Sequence, residues 1–299
     1  MDVSIILVNY NTKTILINCL NSIINHLKNI GYEIIVVDNG SSDGSQEEIK
    51  KLFPNVILIE SKENLGFGKA NNIGAEMSTG KYLFFLNSDT LLLNNAVKYF
   101  YDYFEANKSL NFGCLGCNLT DHDLTINGNG GKFPNIKLVL KMHVDSIKSK
   151  FFKRHNDNDY PLDEIEYVLG ADMFMPREVF KLVNGFDERF FMYFEESDLQ
   201  LRIHRLGFRV KIIDSPKIIH LEGKSSHNTL RKIIMVQSSA FKYFYKNRPY
   251  WEYCLLRILG LAHSIKFIVM KQYSFNDFVT YFKFNLMNFN QSESYSGKK

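Results

Sequence analysis

Apolar runs and helical apolar spacings alternate along the first third of the chain. Residues 4–9, Ser-Ile-Ile-Leu-Val-Asn, form an apolar run of strand length. Residues 14–28 place Ile15, Leu16, Cys19, Leu20, Ile23, Ile24 and Leu27 at helical spacing, and Gly31 breaks the pattern. Residues 33–37 are a second, β-branched strand ending on Asp38, followed by the polar turn 39–44. Ser45 is placed to cap a helix over 46–52. A third strand over 56–60 leads through the loop 64–68 to a helix over 69–77. Tyr82–Leu86 is hydrophobic at every position, as expected of a strand buried on both faces in a parallel sheet. It stops abruptly on Asn87-Ser88-Asp89.

This alternation of strand and helix predicts a parallel sheet with helices on both faces. Three strands end in polar residues: Asn9, Asp38 and Asn87-Ser88-Asp89. Open α/β sheets bind ligands along that carboxyl edge, which makes Asp89 a candidate functional residue. The competing reading is that Asp89 caps a helix beginning near Leu92, or closes a turn. Phosphate loops are the obvious alternative ligand device. Residues 65–71, Leu-Gly-Phe-Gly-Lys-Ala-Asn, do not complete G-x-G-x-x-G, and there is no G-x-x-x-x-G-K-[ST]. A Rossmann dehydrogenase and a P-loop NTPase are therefore disfavoured.

Further on, the pattern predicts a helix over 94–107, a strand over 112–119 and a hairpin region over 120–134. Residues 137–163 turn basic, then polar, with His143, Lys148, Lys150, Lys153, Arg154 and His155. They read as an exposed excursion, either a loop over the site or, more simply, a solvated surface. Residues 166–176 are apolar again, and Gly170-Ala171 allows close backbone approach. After a short helix over 177–183 comes a dense cluster. Five aromatics in 186–194 precede Glu195, Glu196 and Asp198 at the start of a helix running through Arg205. Acidic residues suit a helix N-terminus through the dipole alone. An aromatic wall beside clustered carboxylates can also raise a pKa and create a general base. After a strand over 210–213, His220 ends the apolar run of Ile218 and Ile219 where a polar, glycine-containing loop begins, a placement that parallels Asp89.

Composition narrows the picture slightly. The 299 residues carry a formal net charge of +4, which is no nucleic-acid signature. Met1 leads directly into the first strand, so no signal peptide is expected. Cys19, Cys114, Cys117 and Cys254 are few and scattered, as in a reducing cytoplasm. The lone C-x-x-C at Cys114 and Cys117 is read as core packing rather than zinc or redox chemistry. Residues 230–290 read as helices rich in Phe, Tyr, Lys and Arg. Residues 255–270 are the most apolar part, yet Arg257, His263 and Lys266 make them too short and too charged to span a bilayer. Contact with a membrane surface, a packed helical subdomain and a homodimer interface are the open readings for these helices. Residues 291–299 read as a disordered tail.

Five motifs in order resemble a known family. They are Val8-Asn-Tyr-Asn, Val37-Asp-Asn-Gly-Ser-Ser-Asp-Gly, Asn64-Leu-Gly-Phe-Gly-Lys-Ala-Asn-Asn, Phe85-Leu-Asn-Ser-Asp, and Gly185-Phe-Asp-Glu-Arg-Phe-Phe-Met-Tyr-Phe-Glu-Glu-Ser-Asp-Leu. Over residues 3–226 the chain resembles glycosyltransferase family 2, close to its bacterial rhamnosyltransferase-like branch. The resemblance implies an α/β GT-A fold, the nucleotide-diphospho-sugar transferase fold, with a mostly parallel central sheet. It suggests a catalytic domain over 1–228, a helical extension over 229–290 and the tail 291–299.

The implied activity is inverting transfer of a sugar, foremost L-rhamnose from dTDP-rhamnose, onto a lipid-linked or growing surface polysaccharide. A UDP-sugar donor and a non-catalytic nucleotide-sugar or glycan-binding protein are the alternatives. Val8, Asn9, Tyr10, Asp38, Asn64, Gly66, Phe67, Lys69, Asn71, Asn87 and Ser88 would bind the nucleotide sugar. Within this set Asp38 would contact the base from a cleft beside Asn9. Asp89 and His220 would hold a divalent cation, Mg2+ or Mn2+, with Asn87 standing where the family's D-x-D form has its first Asp. Glu196 would be the base, its pKa raised by burial against Tyr193 or Phe194. Glu195 would be an orienting or terminal residue and the alternative base. Asp198 would orient the acceptor or pair with Arg202. Gly170, Ala171, Tyr193 and Arg202 would line the acceptor side. The implied location is cytoplasmic, peripheral on the inner face of the cell membrane.

Overall fold

The structure is a computed structural model that describes residues 1–148, 165–221, 230–269 and 273–286. The expectations for residues 149–164, for the loop beyond Leu221 and for the tail 291–299 fall outside those residues. The chain divides into two compact units. The first holds Met1–Phe133, Asn156–Glu188 and Glu195–Lys224; the second holds Pro134–His155, Arg189–Phe194 and Ser225–Lys299.

The first unit opens with β1 (Val3–Asn9), α1 (Lys13–His26), β2 (Tyr32–Asp38), α2 (Ser45–Leu52), β3 (Ile57–Glu60), α3 (Phe67–Met77) and β4 (Tyr82–Leu86). This is the alternation seen in the sequence. The chain continues through β5 (Thr90–Leu92), α4 (Ala96–Ala106), β6 (Phe112–Gly116), β7 (Leu119–Thr120), β8 (Ile126–Gly128) and β9 (Gly130–Gly131). After α5 (Ile136–Lys148), a helix of the second unit, come β10 (Tyr167–Val168), β11 (Asp172–Pro176), α6 (Arg177–Leu182), α7 (Glu195–Arg205), β12 (Arg209–Ile212) and β13 (Ile218–His220).

The central sheet has the order β12-β6-β11-β4-β1-β2-β3. All of its pairs are parallel except those of β11, which runs antiparallel between β4 and β6. The chain winds from β1 outward through β2 and β3, then returns to place β4 on the other side of β1. That reversal is the switch point where such sheets open a crevice at their carboxyl edge. Alternate residues of the strands feed two cores. Ile5, Leu7, Val36 and Phe84 pack with Leu16, Leu20 and Phe100 in one. Ile6, Ile35, Val37, Leu83 and Phe85 pack with Ala70, Phe180 and Leu199 in the other. The unbroken apolar run of β4 follows from this double burial.

Three local expectations are corrected. The helix expected near Leu92 is instead the short strand β5, because Thr90–Leu92 pairs antiparallel with β13, and α4 starts only at Ala96. Ser45 does not cap α2. Gly44, at φ 78°, holds the N-cap position, and Asp43 accepts from the Ser45 backbone N–H at 3.1 Å and from its hydroxyl. Part of the stretch expected to be an exposed excursion is helix α5, which Asn135 caps by accepting from Leu138 N at 3.0 Å. The apolar stretch 166–176 forms two strands, β10 and β11. Cys114 and Cys117 are both free and buried, and burial pushes both thiols well up, which suits core packing.

The second unit is α5, the segment Arg189–Phe194, and the helices α8 (Leu230–Asn247), α9 (Tyr250–Val269) and α10 (Phe275–Leu286). Its aromatics stack: Phe241 on Phe284 at 5.9 Å and Phe267 on Tyr281 at 4.7 Å. Arg257 lies over Phe241 at 4.7 Å and donates to Asn285 O. Glycine at 260 lets α9 approach α10, since a Cβ there would meet Asn285 Oδ1 at 2.1 Å. Polar ties join the remaining pieces. Glu252 accepts from Ile136 N at 2.9 Å, Arg248 donates to Pro134 O at 2.7 Å, and Ser239 donates to Met192 O at 2.7 Å. Among the described residues no helix is long and apolar enough to cross a membrane.

Candidate active site

The carboxyl edge of β4 carries the clearest convergence. Asn87 is fixed by its backbone N–H, which donates to Ala171 O at 3.0 Å, and by its carbonyl, which accepts from the Thr90 hydroxyl at 2.7 Å. The chain then turns so that β5 pairs with β13, and this register sets His220 opposite Thr90. The Leu221 N–H donates to Asp89 O at 2.9 Å and closes the ladder. As a result His220 Nε2 lies 3.3 Å from Asp89 Oδ1 and 3.5 Å from Asn87 Nδ2. Residues 131 positions apart thus meet at one corner of the sheet. Two adjacent ligands of a divalent cation stand about 3 Å apart when each sits about 2.1 Å from the ion. The Asp89–His220 pair has that spacing and the right oxygen and nitrogen donors. Among the described residues no third His, Cys, Asp or Glu joins them. Two protein ligands are enough where substrate phosphates and water complete the shell.

A second polar edge lies along β1 and β2. Asn9 Nδ2 donates to Asp38 Oδ2 at 2.8 Å and to the Ser41 hydroxyl at 3.1 Å. Asn9 Oδ1 accepts from the Thr12 hydroxyl at 2.7 Å, and Thr12 Oγ1 lies 3.5 Å from Ser88 Oγ. Asp38 is beside Asn9 as expected, but it is not exposed to a cleft. It is fully buried, and its Oδ1 accepts from Ser41 N at 2.9 Å and Gln46 Nε2 at 2.6 Å. The turn after β2 folds back and supplies its own donors, so the carboxylate is satisfied from within. Tyr10, just beyond β1, is 43% exposed.

The loop before α3 is stitched to the same edge. Asn64 Oδ1 accepts from Asn39 Nδ2 at 2.9 Å and from Gly66 N at 3.0 Å, while Asn39 Oδ1 accepts from Leu65 N at 2.9 Å. Asn71 is buried and donates to Phe67 O at 3.0 Å within its own helix. Lys69 pairs with Glu188 at 3.2 Å. The Asn71 side chain is thus engaged within its own helix, whereas the Lys69–Glu188 pair is exposed.

The carboxylate cluster opens α7. Glu195 is buried, and its Oε2 has no hydrogen-bond partner. Burial, reinforced by the charge of Glu196, pushes its pKa well up. Glu196 is half-buried and also raised by burial, opposed by hydrogen bonds from its own and the Ser197 backbone N–H. Gly170 borders it: a Cβ at Gly170 would lie 3.6 Å from Glu196 Cβ and 3.7 Å from the Phe67 ring. The Gly66-Phe67-Gly68 motif, Gly170 and Glu196 are therefore neighbours. Asp198 is fully buried and accepts from Arg202 Nε at 2.9 Å, the pairing open to it from the sequence. Arg202 also donates to the carbonyls of Val183 and Gly185, the latter at 2.8 Å. Its guanidinium holds the turn before residue 186. Tyr193, in the second unit, sits at φ 72° with Phe194 at φ 69°, a left-handed pair that aromatic residues seldom adopt.

Sequence reasoning missed Asp172. It lies on β11 opposite Leu86, fully buried; Oδ2 accepts from Cys117 N at 2.6 Å and Oδ1 has no partner. Burial raises its pKa to about 7, against the Cys117 hydrogen bonds and the pull of His220. The available signal was a lone carboxylate inside an apolar strand. Thr12 and Ser41, short polar residues in loops, and Gln46, in the first turn of α2, were also missed, since such positions carry no distinguishing pattern.

The mostly parallel central sheet, with polar side chains along its carboxyl edge, has the GT-A fold. The family model described as glycosyl transferase family 2 matches residues 4–156, and the chain belongs to that family. It is 24% identical over 212 residues to the N-acetylglucosaminyl-diphospho-decaprenol L-rhamnosyltransferase of Mycobacterium tuberculosis, covering 64% of this chain and 67% of the relative. It is 26% identical over 258 residues to the rhamnosyltransferase WbbL of Escherichia coli, covering 72% and 93%. The solved structure of S. aureus TarS superposes with a TM-score of 0.58 at 15% identity, covering 98% of this chain, which spans only about half (49%) of that one. The mannosyltransferase PcManGT from Pyrobaculum calidifontis, solved with GDP-Man and Mn2+, gives 0.57 at 14% identity, covering 98% and 85%.

Proposed function

We propose that this protein is an inverting, metal-dependent sugar transferase. It moves L-rhamnose from dTDP-rhamnose onto a hydroxyl of a lipid-linked glycan at the inner face of the cell membrane. The observation that carries the reading is the meeting of Asp89, Asn87 and His220 at the carboxyl end of β4. Rhamnose as the sugar, and a diphospho-linked lipid acceptor, are supported by the relatives named for those activities.

Asp89 and His220 would hold the cation. When bound, it would offset the charge that develops on the diphosphate as the leaving group departs. The edge formed by Val8, Asn9, Tyr10, the Asp38 turn, Asn64, Phe67 and Ser88 would seat the nucleotide. Glu196, half-buried beside Gly170, would take the proton of the acceptor hydroxyl. The acceptor oxygen then forms a bond to the anomeric carbon from the face opposite the diphosphate. The bond from that carbon to the phosphate oxygen breaks, and its electron pair leaves with the nucleoside diphosphate. Glu195 would remain protonated behind the base, and Gly170 with Ala171 would let the acceptor chain approach.

The test is transfer from dTDP-rhamnose to a polyprenyl-diphosphate N-acetylglucosamine, followed by mass spectrometry with Mn2+ or with chelator, against UDP-glucose, UDP-galactose and UDP-N-acetylglucosamine. Metal-dependent gain of one deoxyhexose is the expected product. Transfer from a UDP-sugar alone would replace the donor, and full activity in chelator would remove the metal.

A further inference from the structure

We propose that the outer face of α9 docks this protein on the surface of an anionic lipid bilayer. Helix α9 buries one face within its own unit, through Tyr253, Leu256, Gly260, Ser264 and Phe267. A helix so placed normally turns polar residues outward. Here the opposite face is apolar as well. Trp251, Ile258 and Ile265, spaced seven apart, are 58%, 60% and 60% exposed. Half-buried Leu255 and Leu261 lie between them. The stripe runs for about 21 Å at the helical rise per residue.

Charge selects the occupant. Pro134–His155, Arg189–Phe194 and Ser225–Lys299 together carry 18 Lys and Arg against 4 Asp and Glu, although the whole chain is only +4. Of those acids, Glu252 accepts from Ile136 N and Asp277 from Ser274 N at 2.8 Å, both in internal hydrogen bonds. A basic unit with an exposed Trp-Ile stripe matches an anionic interface, where aromatic and aliphatic groups enter the headgroup region and lysines and arginines meet the lipid charge. A second copy of the same basic unit would meet it with like charge, which disfavours a homodimer through this face. The surface deepens the lipid-linked acceptor reading by bringing the enzyme to where such an acceptor lies.

Trp251 is the only tryptophan in the chain, so its fluorescence reports the stripe directly. Full-length protein is mixed with vesicles of phosphatidylcholine, or of phosphatidylcholine and phosphatidylglycerol in equal parts, without donor or acceptor. The two readings therefore fail separately. The expected result is a blue shift and protection of Trp251 from a soluble quencher with the phosphatidylglycerol vesicles only, reversed by high salt. Sedimentation with the same vesicles should fall at least about tenfold in a Trp251→Ser, Ile258→Ser, Ile265→Ser variant, because each exposed apolar group lost weakens interfacial partitioning. The single Ile258→Ser should fall by less. An unchanged Trp251 spectrum in the wild-type protein overturns the proposal whatever the variants do. So does a wild-type dimer in sedimentation equilibrium that the triple variant abolishes.

Discussion

With Oε2 of Glu195 buried and lacking a partner, a negative charge on that side chain loses hydration that the single bond from its own backbone N–H only partly replaces. The acid therefore stays protonated to higher pH in the folded chain than in the unfolded one. The folded state then binds the extra proton between the two pKa values, and stability falls as pH rises through that window. Below the unfolded value the cost is absent; above the folded value it is fully present. Glu195→Gln mimics the protonated acid, so its thermal midpoint should decline less than that of the wild type between pH 5 and pH 8, and should exceed it at pH 8. Parallel slopes would show that the acid is ionised. Glu196→Gln should keep nucleotide binding and lose at least about a hundredfold in turnover, the scale of a positioned base. Turnover and dTDP affinity measured together separate that loss from a binding defect. Asp89→Asn should abolish the Mn2+ dependence of dTDP affinity in calorimetry while the melting curve stays cooperative. A retained metal increment would place the cation elsewhere. Asp89 and His220 stood out in the sequence because each ends an apolar run. The burial of Asp38 and Asp172 was hidden, since only the folded turn after β2 and the neighbouring strand β6 show what surrounds them.

At the scale of elements, α7 begins with three acids, and one of them is bound into a clamp. Arg202 joins buried Asp198 to the carbonyls of Val183 and Gly185, fixing the turn that leads into Phe186. Replacing Arg202 with Met keeps much of the aliphatic stem and removes the charge opposite Asp198. The expected loss is about 3–5 kcal/mol of unfolding free energy, the usual cost of stripping one partner from a buried ion pair. Urea denaturation would measure it, and a change under about 1 kcal/mol would mean Asp198 is compensated by its other neighbours. The pairing was legible from the four-residue spacing, whereas the two carbonyl contacts were not, because they depend on where the turn folds. The same division holds for strands. The uniform apolar character of β4 announced burial on both faces. The antiparallel direction of β11 and the pairing of β5 with β13 are choices made between segments far apart in sequence.

At the scale of the whole molecule, the compact units do not follow a single cut along the chain. Residues 134–148 and 189–194 join the C-terminal helices through Arg248 to Pro134, Ser239 to Met192 and Lys242 to Arg189. Those ties are carbonyl contacts, which leave no mark in composition. What composition does carry is the uneven sharing of charge between the units, and this bears on how the protein behaves at the bench. The first unit holds 18 Lys and Arg against 28 Asp and Glu, the reverse of the second. An ion-exchange resin responds to local patches within a Debye length of about 8–10 Å, not to the sum over a molecule. A protein of formal charge +4 should elute early from a cation exchanger at neutral pH. This one should be retained well beyond proteins of equal net charge, and should also be held by an anion exchanger at low salt. Retention on neither matrix would mean that the two charge populations neutralise each other locally.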